Sequence, residues 1–466
     1  MSEKIDLFDS VSPLDYRYYG RDKALLKELG RFFSENARIH YQLRVQEALV
    51  KVLAKKGICS RKIAAQVSRA VKKVNAEDVY KEEDKIRHDV RSLVNSIRKH
   101  VSKEARPFVH LGLTSNDVID TANSLRFKEA AEKVILPELK ELEKTLIKIA
   151  LREKKTLQIG RTHGQHAEPI TFGFYLSWHI NRLGEQIEQL ERAKNNLHGK
   201  IAGAVGAYNA SSLVFKNPEE IERLILKELG LEPEIVSTQL LRPEPLLDLV
   251  HSSVAAFGIL ANIADDMRNL QRSEIAEVFE EFGAKQVGSS TMPQKRNPIN
   301  FENVKSFWKA FMPRITTLYL DQVSEHQRDL TNSASSRFVP EIMVGLILSS
   351  RRLNKSMSRL RVDKENMRRN FEKSADFIAA EPLYVLLALH GHPDAHEYVR
   401  KLTLEAQKTG KSLQEIIALH HSALHKYFIK FSKKQLELIK DPSKYTGLSE
   451  KKTIQVCKKW KKRLKI

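Results

Sequence analysis

Two serines, a lysine, an arginine and an asparagine stand within the eleven residues GSSTMPQKRNP at 288–298. Hydroxyls, cations and an amide can together hold a small anion, and a hydroxyl beside positive charge can move a proton. The two prolines fix φ and remove backbone donors, and the glycine permits φ > 0, so the segment reads as a loop. Three further polar clusters interrupt an otherwise apolar pattern: RHDV at 87–90, HLGLTSND at 110–117 and GRTHGQHAEP at 160–169. In the second, Thr114, Ser115 and Asn116 precede the helical run VIDTANSLRFKEAAEK. There they cap the helix, or seat a carboxylate on its exposed amides, or do both. In the third, His163 and His166 are three apart, but no Cys or clustered carboxylate accompanies them, so no metal is expected. The same holds for His390, His392 and His396, and for His421 with His425. A histidine in a polar loop suits proton donation, because its ordinary pKa lies near working pH. GAVGAY at 203–208 lets backbone come close to something.

These clusters must be positioned by helices. Ile135, Leu139, Leu142, Leu146 and Ile149 recur at spacings of four and three, as do Ile180, Leu183, Ile187, Leu190, Ala193 and Leu197, and Val250, Val254, Phe257, Ala261 and Ala264. Such seams belong to helices packed side by side in a bundle, and segments 299–325 and 338–362 read as further helices of the same block. No stretch shows sustained period-two alternation, so the chain reads as all-α. Proline and glycine clusters divide it into an N-terminal helical domain (1–108), a central long-helix bundle (109–362) and a C-terminal helical domain (363–466). Bundles place ligand sites where polar residues of facing helices converge, and the four clusters are expected at the ends of the long helices.

The chain has 466 residues, 41% of them hydrophobic, enough for a sizeable core. Two cysteines, Cys59 and Cys457, make no disulfide framework, the start MSEKIDLFDS lacks the pattern of a secretory signal, and no apolar run reads as a membrane span. A cytoplasmic location is expected. Lys and Arg number 79 against 58 Asp and Glu, a formal charge of +21. That excess attracts anions: nucleic acid, an acidic membrane surface or a highly charged small substrate. No nucleic-acid module and no stacking array of aromatics accompanies it, so a nucleic-acid partner is not expected, and the basic run KKWKKRLK reads as a solvated face.

Taken together, the clusters resemble a known family. GSSTMPQKRNP is similar to the signature loop of the fumarase and aspartase superfamily, whose members cleave C–N or C–O bonds and release fumarate. RHDV, HLGLTSNDVIDTA, GRTHGQHAEPITFG, SPLDYRYYG and QRDLTNSASSR at 327–337 resemble the adenylosuccinate lyase family within it, and the likeness runs through AAEPLYVLLALHGHPDAHEYV. A cycloisomerase of 3-carboxymuconate shares a similar loop, but its substrate lacks the phosphate that RHDV and the Arg17–Tyr18 pair suit.

The resemblance implies a homotetramer whose core is a multi-helix bundle of the central domains, active sites assembled from three chains, no cofactor and no membrane partner. It implies elimination of fumarate from adenylosuccinate, and from the related succinyl-carboxamide ribotide. By the same resemblance Ser290 is the general base and His163 the general acid, with His88, Lys295 and Glu302 completing the catalytic group. Arg17 and Tyr18 are expected on the nucleotide phosphate. Thr114 and Ser115 are expected on a substrate carboxylate, Gln239 near the succinyl part, and Asp89, His110, Asn297, Arg328, Ser333 and Arg337 at further contacts. After Gln239 the chain reads LLRPEPLLD where many relatives carry an Arg-Asp pair and then a His, so Arg242 and Glu244 receive no role.

Overall fold

The computed structural model describes residues 6–281, 291, 292 and 294–466. Long helices dominate it: Glu35–Lys55, Ser115–Ala130, Leu136–Arg152, Phe172–Asn195, Glu244–Leu270, Ile299–Phe311 and Val339–Ser358. All the seam positions named from the sequence are buried, most of them completely. Their 3–4 spacing therefore marks the faces that leave water, the main stabilising term of such a fold. Glu244–Leu270 is long and apolar enough to cross a membrane by length and composition, with 67% of its apolar window buried inside the protein.

The chain divides into two compact units. The first comprises 1–139, 186–258 and 306–351, and the second 140–185, 259–305 and 352–466. In the first, Glu35–Lys55 packs against Ser115–Ala130, and Ala131–Ile135 continues the latter as a π-helical turn. Pro137 explains that turn. It has no N–H to give a carbonyl four residues back and its ring crowds that carbonyl, so the Leu136 N–H bonds Ala131 O instead.

The segment expected as one helix over 299–325 is shorter and broken. Ile299–Phe311 passes through a 3₁₀ turn at Met312–Arg314 into Ile315–Leu320, because Pro313 interrupts the ladder. The following helix, Val339–Ser358, likewise ends four residues before 362.

In the second unit the helix Ser449–Leu464 lays Trp460, fully buried, against Phe172–Asn195, where a Cβ at Gly184 would lie 2.3 Å from the indole. Trp460 Nε1 donates to Asn181 Oδ1 at 3.0 Å. Cys457, Trp460 and Leu464 form the inward stripe and the surrounding lysines face outward, so the basic run is the solvated side of an amphipathic helix. A separate apolar cluster built from Ala379 to Ile439 gives the C-terminal helices their own core.

Short strands qualify the all-α reading without changing it: three two-stranded pairs occur among the described residues. Two of them involve only two residues on each side. The third, Leu157–Thr162 with Gln165–Thr171, is a hairpin where the sequence reads as a polar loop. Its alternation is hidden by a bulge at Ala167–Glu168, opposite Gly160, where a Cβ on the glycine would lie 2.7 Å from Glu168 O.

Candidate active site

The first unit contains a cavity of about 980 Å³, large enough for a nucleotide-sized ligand. One wall is a face of the helix Ser115–Ala130. Thr114 caps that helix and its N–H donates to Asp117 Oδ2 at 2.8 Å, so the cap expected from the sequence is present. Asn116 is buried, and its Nδ2 reaches Gln239 Oε1 at 3.4 Å, an oxygen that also accepts from Arg328 Nη1 at 3.0 Å. Gln239 and Arg328, 89 residues apart, are thereby held to the start of one helix.

Asp117 is the hub of this corner. It is fully buried and accepts from Lys200 Nζ at 2.5 Å and from the N–H groups of Ala202 and Gly203 at 3.1 and 3.2 Å. Lys200, also fully buried, donates in addition to Gly203 O at 3.3 Å. The pair fastens the GAVGAY loop beneath the helix start, and Tyr208 OH and Ile201 N–H fasten it again through Glu222. What that loop approaches is the backbone before Gln239. Gly206 has φ +77°, and a Cβ there would lie 1.9 Å from Ser237 O.

A prediction follows from comparing two glycines of this loop. Gly203→Ala meets no atom within 4 Å and carries only the strain of φ +84°, about 1–2 kcal/mol. Gly206→Ala adds a backbone clash. In thermal melts it is expected to lose several degrees more than Gly203→Ala; equal losses would contradict the close approach.

RHDV also borders the cavity, through Arg87, His88 and Asp89. Arg87 takes φ +54° and ends one helix, and His88 caps the next, Asp89–Arg98, its Nδ1 accepting from Arg91 N–H at 3.3 Å. With Nδ1 so used, the neutral ring carries its hydrogen on Nε2. His110 is held the same way: Gln46, fully buried, bonds its Nδ1 at 2.8 Å, at φ +69°. Burial, followed by the charges of Arg98, Arg91 and His88, pushes His110 down to about 4. It is therefore a neutral hydrogen-bonding group at pH 7.

On the helix Ser115–Ala130 itself, Asp120 is pushed up to about 6 by burial, although it accepts from Leu241 N–H at 2.9 Å. The loop carrying Arg328, Ser333 and Arg337 is shaped by acids the sequence did not single out. Asp329 accepts from the N–H groups of Glu325 and Thr331 at 2.9 and 2.8 Å, and Asp321 accepts from Ser335 Oγ at 2.7 Å.

Of the residues named from the sequence, this cavity gathers His88, Asp89, Ser115, Arg328, Ser333 and Arg337, with Gln239 and Thr114 bonded just behind its lining. Arg17 and Tyr18 lie in the same unit on the π-helical segment Leu14–Tyr19, where Tyr18 packs edge-on at 4.6 Å to Phe307; neither belongs to the lining. Arg242 and Glu244 do line it, paired with Glu234 at 2.7 Å and Gln322 at 3.3 Å.

The remaining candidates belong to the second unit. His163 and Gly164, both at positive φ, form the two-residue turn of the hairpin and leave the imidazole exposed at its tip. A non-glycine residue held in that region is strained, a condition that often accompanies function. The hairpin is anchored through Glu277, fully buried, which accepts from Arg161 Nη2 at 2.6 Å, Gln158 Nε2 at 2.9 Å and Asn370 Nδ2 at 3.1 Å. His166 Nδ1 is bonded to Ser374 Oγ at 2.8 Å, so it stabilises the hairpin. On the same strand Glu168 is pushed up to about 7, first by its hydrogen bond with Glu381 and then by burial.

Lys295 and Glu302 are exposed and Asn297 half-buried, at the end of the 288–298 segment and in the first turn of Ile299–Phe311. Glu280 secures that turn, accepting from Asn300 and Phe301 N–H at 3.1 and 3.0 Å. Ser290 lies outside the described residues.

Comparison with known proteins shows the family. A family profile described as "Lyase" matches residues 17–310, and one described as "Adenylosuccinate lyase C-terminal" matches 324–445. An adenylosuccinate lyase of Pyrococcus abyssi is 37% identical over 94% of this chain and 95% of its own. Another, of Methanocaldococcus jannaschii, is 33% identical over 96% of each. The chain belongs to the adenylosuccinate lyase family. Among solved structures, a 3-carboxy-cis,cis-muconate lactonizing enzyme of Pseudomonas putida superposes with a TM-score of 0.82 at 23% identity, covering 94% of this chain and 98% of that one. A fumarate lyase of Mesorhizobium gives 0.81 at 21%, covering 93% and 97%. These two likenesses concern the fold.

Proposed function

We propose that this chain releases fumarate from adenylosuccinate, leaving AMP, and performs the same cleavage on the succinyl-carboxamide ribotide, leaving the free carboxamide. The observation that carries the reading is similarity to adenylosuccinate lyases over nearly the whole length. The cavity supports it: cations, amides and a helix start face a space of nucleotide size, as a ligand with a phosphate and two carboxylates needs.

In the mechanism, the Ser290 oxygen takes the proton from the carbon next to a substrate carboxylate. A serine hydroxyl is a weak base, so positive charge such as Lys295 and exclusion of water must activate it. The electron pair left on carbon spreads into that carboxylate, held by Asn297 and by Thr114 and Ser115 at the helix start. The carbon–nitrogen bond then breaks, and His163 protonates the departing nitrogen. His88 and His110, both with Nδ1 engaged, offer Nε2–H to the ligand, with Asp89 beside His88. Gln239 faces the succinyl part, Arg17, Tyr18, Arg328, Ser333 and Arg337 take the nucleotide end, and Glu302 orients a catalytic histidine.

The exposed His163 and the distance along the chain between these groups suit a homotetramer with sites shared among chains. The three-domain division at 108 and 362 and a cytoplasmic location complete the proposal. Purified protein mixed with adenylosuccinate is expected to release fumarate, followed by absorbance, while argininosuccinate, aspartate and carboxymuconate give none. A folded tetramer that releases no fumarate from adenylosuccinate refutes it.

A further inference from the structure

The roles above leave Arg126, a buried cation of the cavity wall, unused. Arg126 stands eleven residues beyond Ser115 on the same helix, about 16 Å along its axis at 1.5 Å per residue. It lines the cavity there with only 4% of its surface exposed. Its Nη2 donates to Asn123 Oδ1 at 3.0 Å and the guanidinium lies 4.6 Å over the Phe127 ring, but buried Nε has no partner.

The carboxylate whose charge reaches Arg126 is Glu35, and that carboxylate is already taken. Arg38 Nε lies 2.8 and 3.0 Å from its two oxygens, Arg38 Nη2 lies 2.6 Å from one of them, and Tyr80 OH donates at 2.8 Å. The positive charge of Arg337 acts on Glu35 as well. Three guanidiniums thus line this cavity together with one carboxylate, which only Arg38 among them hydrogen-bonds. Burial, then the neighbouring Arg38, pushes Arg126 down to about 10, so it is still a cation at pH 7. A buried guanidinium with a free N–H and no anion is costly unless something fills the cavity beside it.

Resting on the reading of this cavity as the nucleotide's, we propose that Arg126, with Arg38 and Arg337, forms a seat for a phosphate dianion. Tetrahedral phosphate suits it because planar guanidinium forks donate in pairs to its oxygens. The helix that starts at a carboxylate seat then carries a second anion site at its other end, so the cavity measures the span between a ligand's two charged ends.

The test uses calorimetry on the intact protein with AMP, adenosine and inorganic phosphate. Arg126→Gln keeps an amide toward Asn123 and removes the charge. It is expected to weaken AMP binding by about 10–100-fold, as losing a charge-assisted contact does, and to leave adenosine binding as it was. Phosphate that competes with AMP assigns the seat to the nucleotide's own phosphate. Phosphate that binds beside AMP and is lost in the variant assigns it to the free ion. Unchanged AMP and phosphate affinity overturns the proposal, and so does equal loss of AMP and adenosine, the mark of a packing role. If the glutamine variant does not fold, Arg126→Lys keeps the charge without the fork and is judged by the same AMP-to-adenosine ratio. Calorimetry needs no turnover, so absence of fumarate release refutes the lyase reading separately.

Discussion

Ser290→Ala is expected to lower the turnover number for fumarate release by about 10³, within the 10²–10⁴ that a positioned general base contributes. Adenylosuccinate binding should stay close to that of the unchanged protein. The carbon acid is weak, and without the base only water can take its proton, while the groups that hold carboxylate and phosphate are untouched. Glu280 holds the first turn of Ile299–Phe311, and Gln271 Nε2 reaches Arg296 O at 3.4 Å. Single-turnover kinetics with bound substrate separates the outcomes. A variant that binds poorly but converts bound substrate at the normal rate would assign Ser290 to ligand seating.

The second large effect is on stability. Asp117→Ala is expected to cost about 3–5 kcal/mol, because it leaves the fully buried Lys200 ammonium without its counter-charge. It also removes the acceptor for three backbone N–H groups, those of Thr114, Ala202 and Gly203. Lys200→Met is expected to cost less, since Asp117 keeps those three donors and the methionine fills much of the same volume. Urea unfolding midpoints measure both. If the lysine variant proves the more damaging, the carboxylate is not the hub. Activity should fall with stability in Asp117→Ala, because the same carboxylate fixes the helix start at Thr114, the GAVGAY loop and through it the backbone before Gln239.

How far the sequence reveals this architecture depends on the kind of signal. The helical seams are legible because burial repeats every three or four residues, and all their named positions are buried. The cap at Thr114 is legible because its partner Asp117 is three residues away. The hairpin bearing His163 is not, since the bulge opposite Gly160 shifts the alternation midway and the first of the two turn residues is a histidine where an asparagine or glycine would announce it. The pairing of Asp117 with Lys200 spans 83 residues and leaves no local pattern; a lysine just before a glycine-rich loop was its one trace. Arg126 was hidden for a different reason. It sits in a charged helical stretch where an arginine reads as a solvated side chain, and only the cavity wall and the prior claim of Arg38 on Glu35 set it apart.

The broken segment after residue 311 shows the limit of periodicity from the other side. Apolar spacing continues through Pro313, yet the ring removes a donor and the helix yields to a 3₁₀ turn. Periodicity reports which faces are buried, whereas proline chemistry decides where the ladder stops.

The account turns on a base and an acid that different chains bring to one succinyl group. Subunit complementation tests that most directly. Ser290→Ala and His163→Ala are each expected to be nearly inactive, and tetramers refolded from an equal mixture should recover roughly a quarter of full activity, the product of two independent halves. Hybrid tetramers verified by native mass spectrometry that show no more activity than the two parents would contradict it.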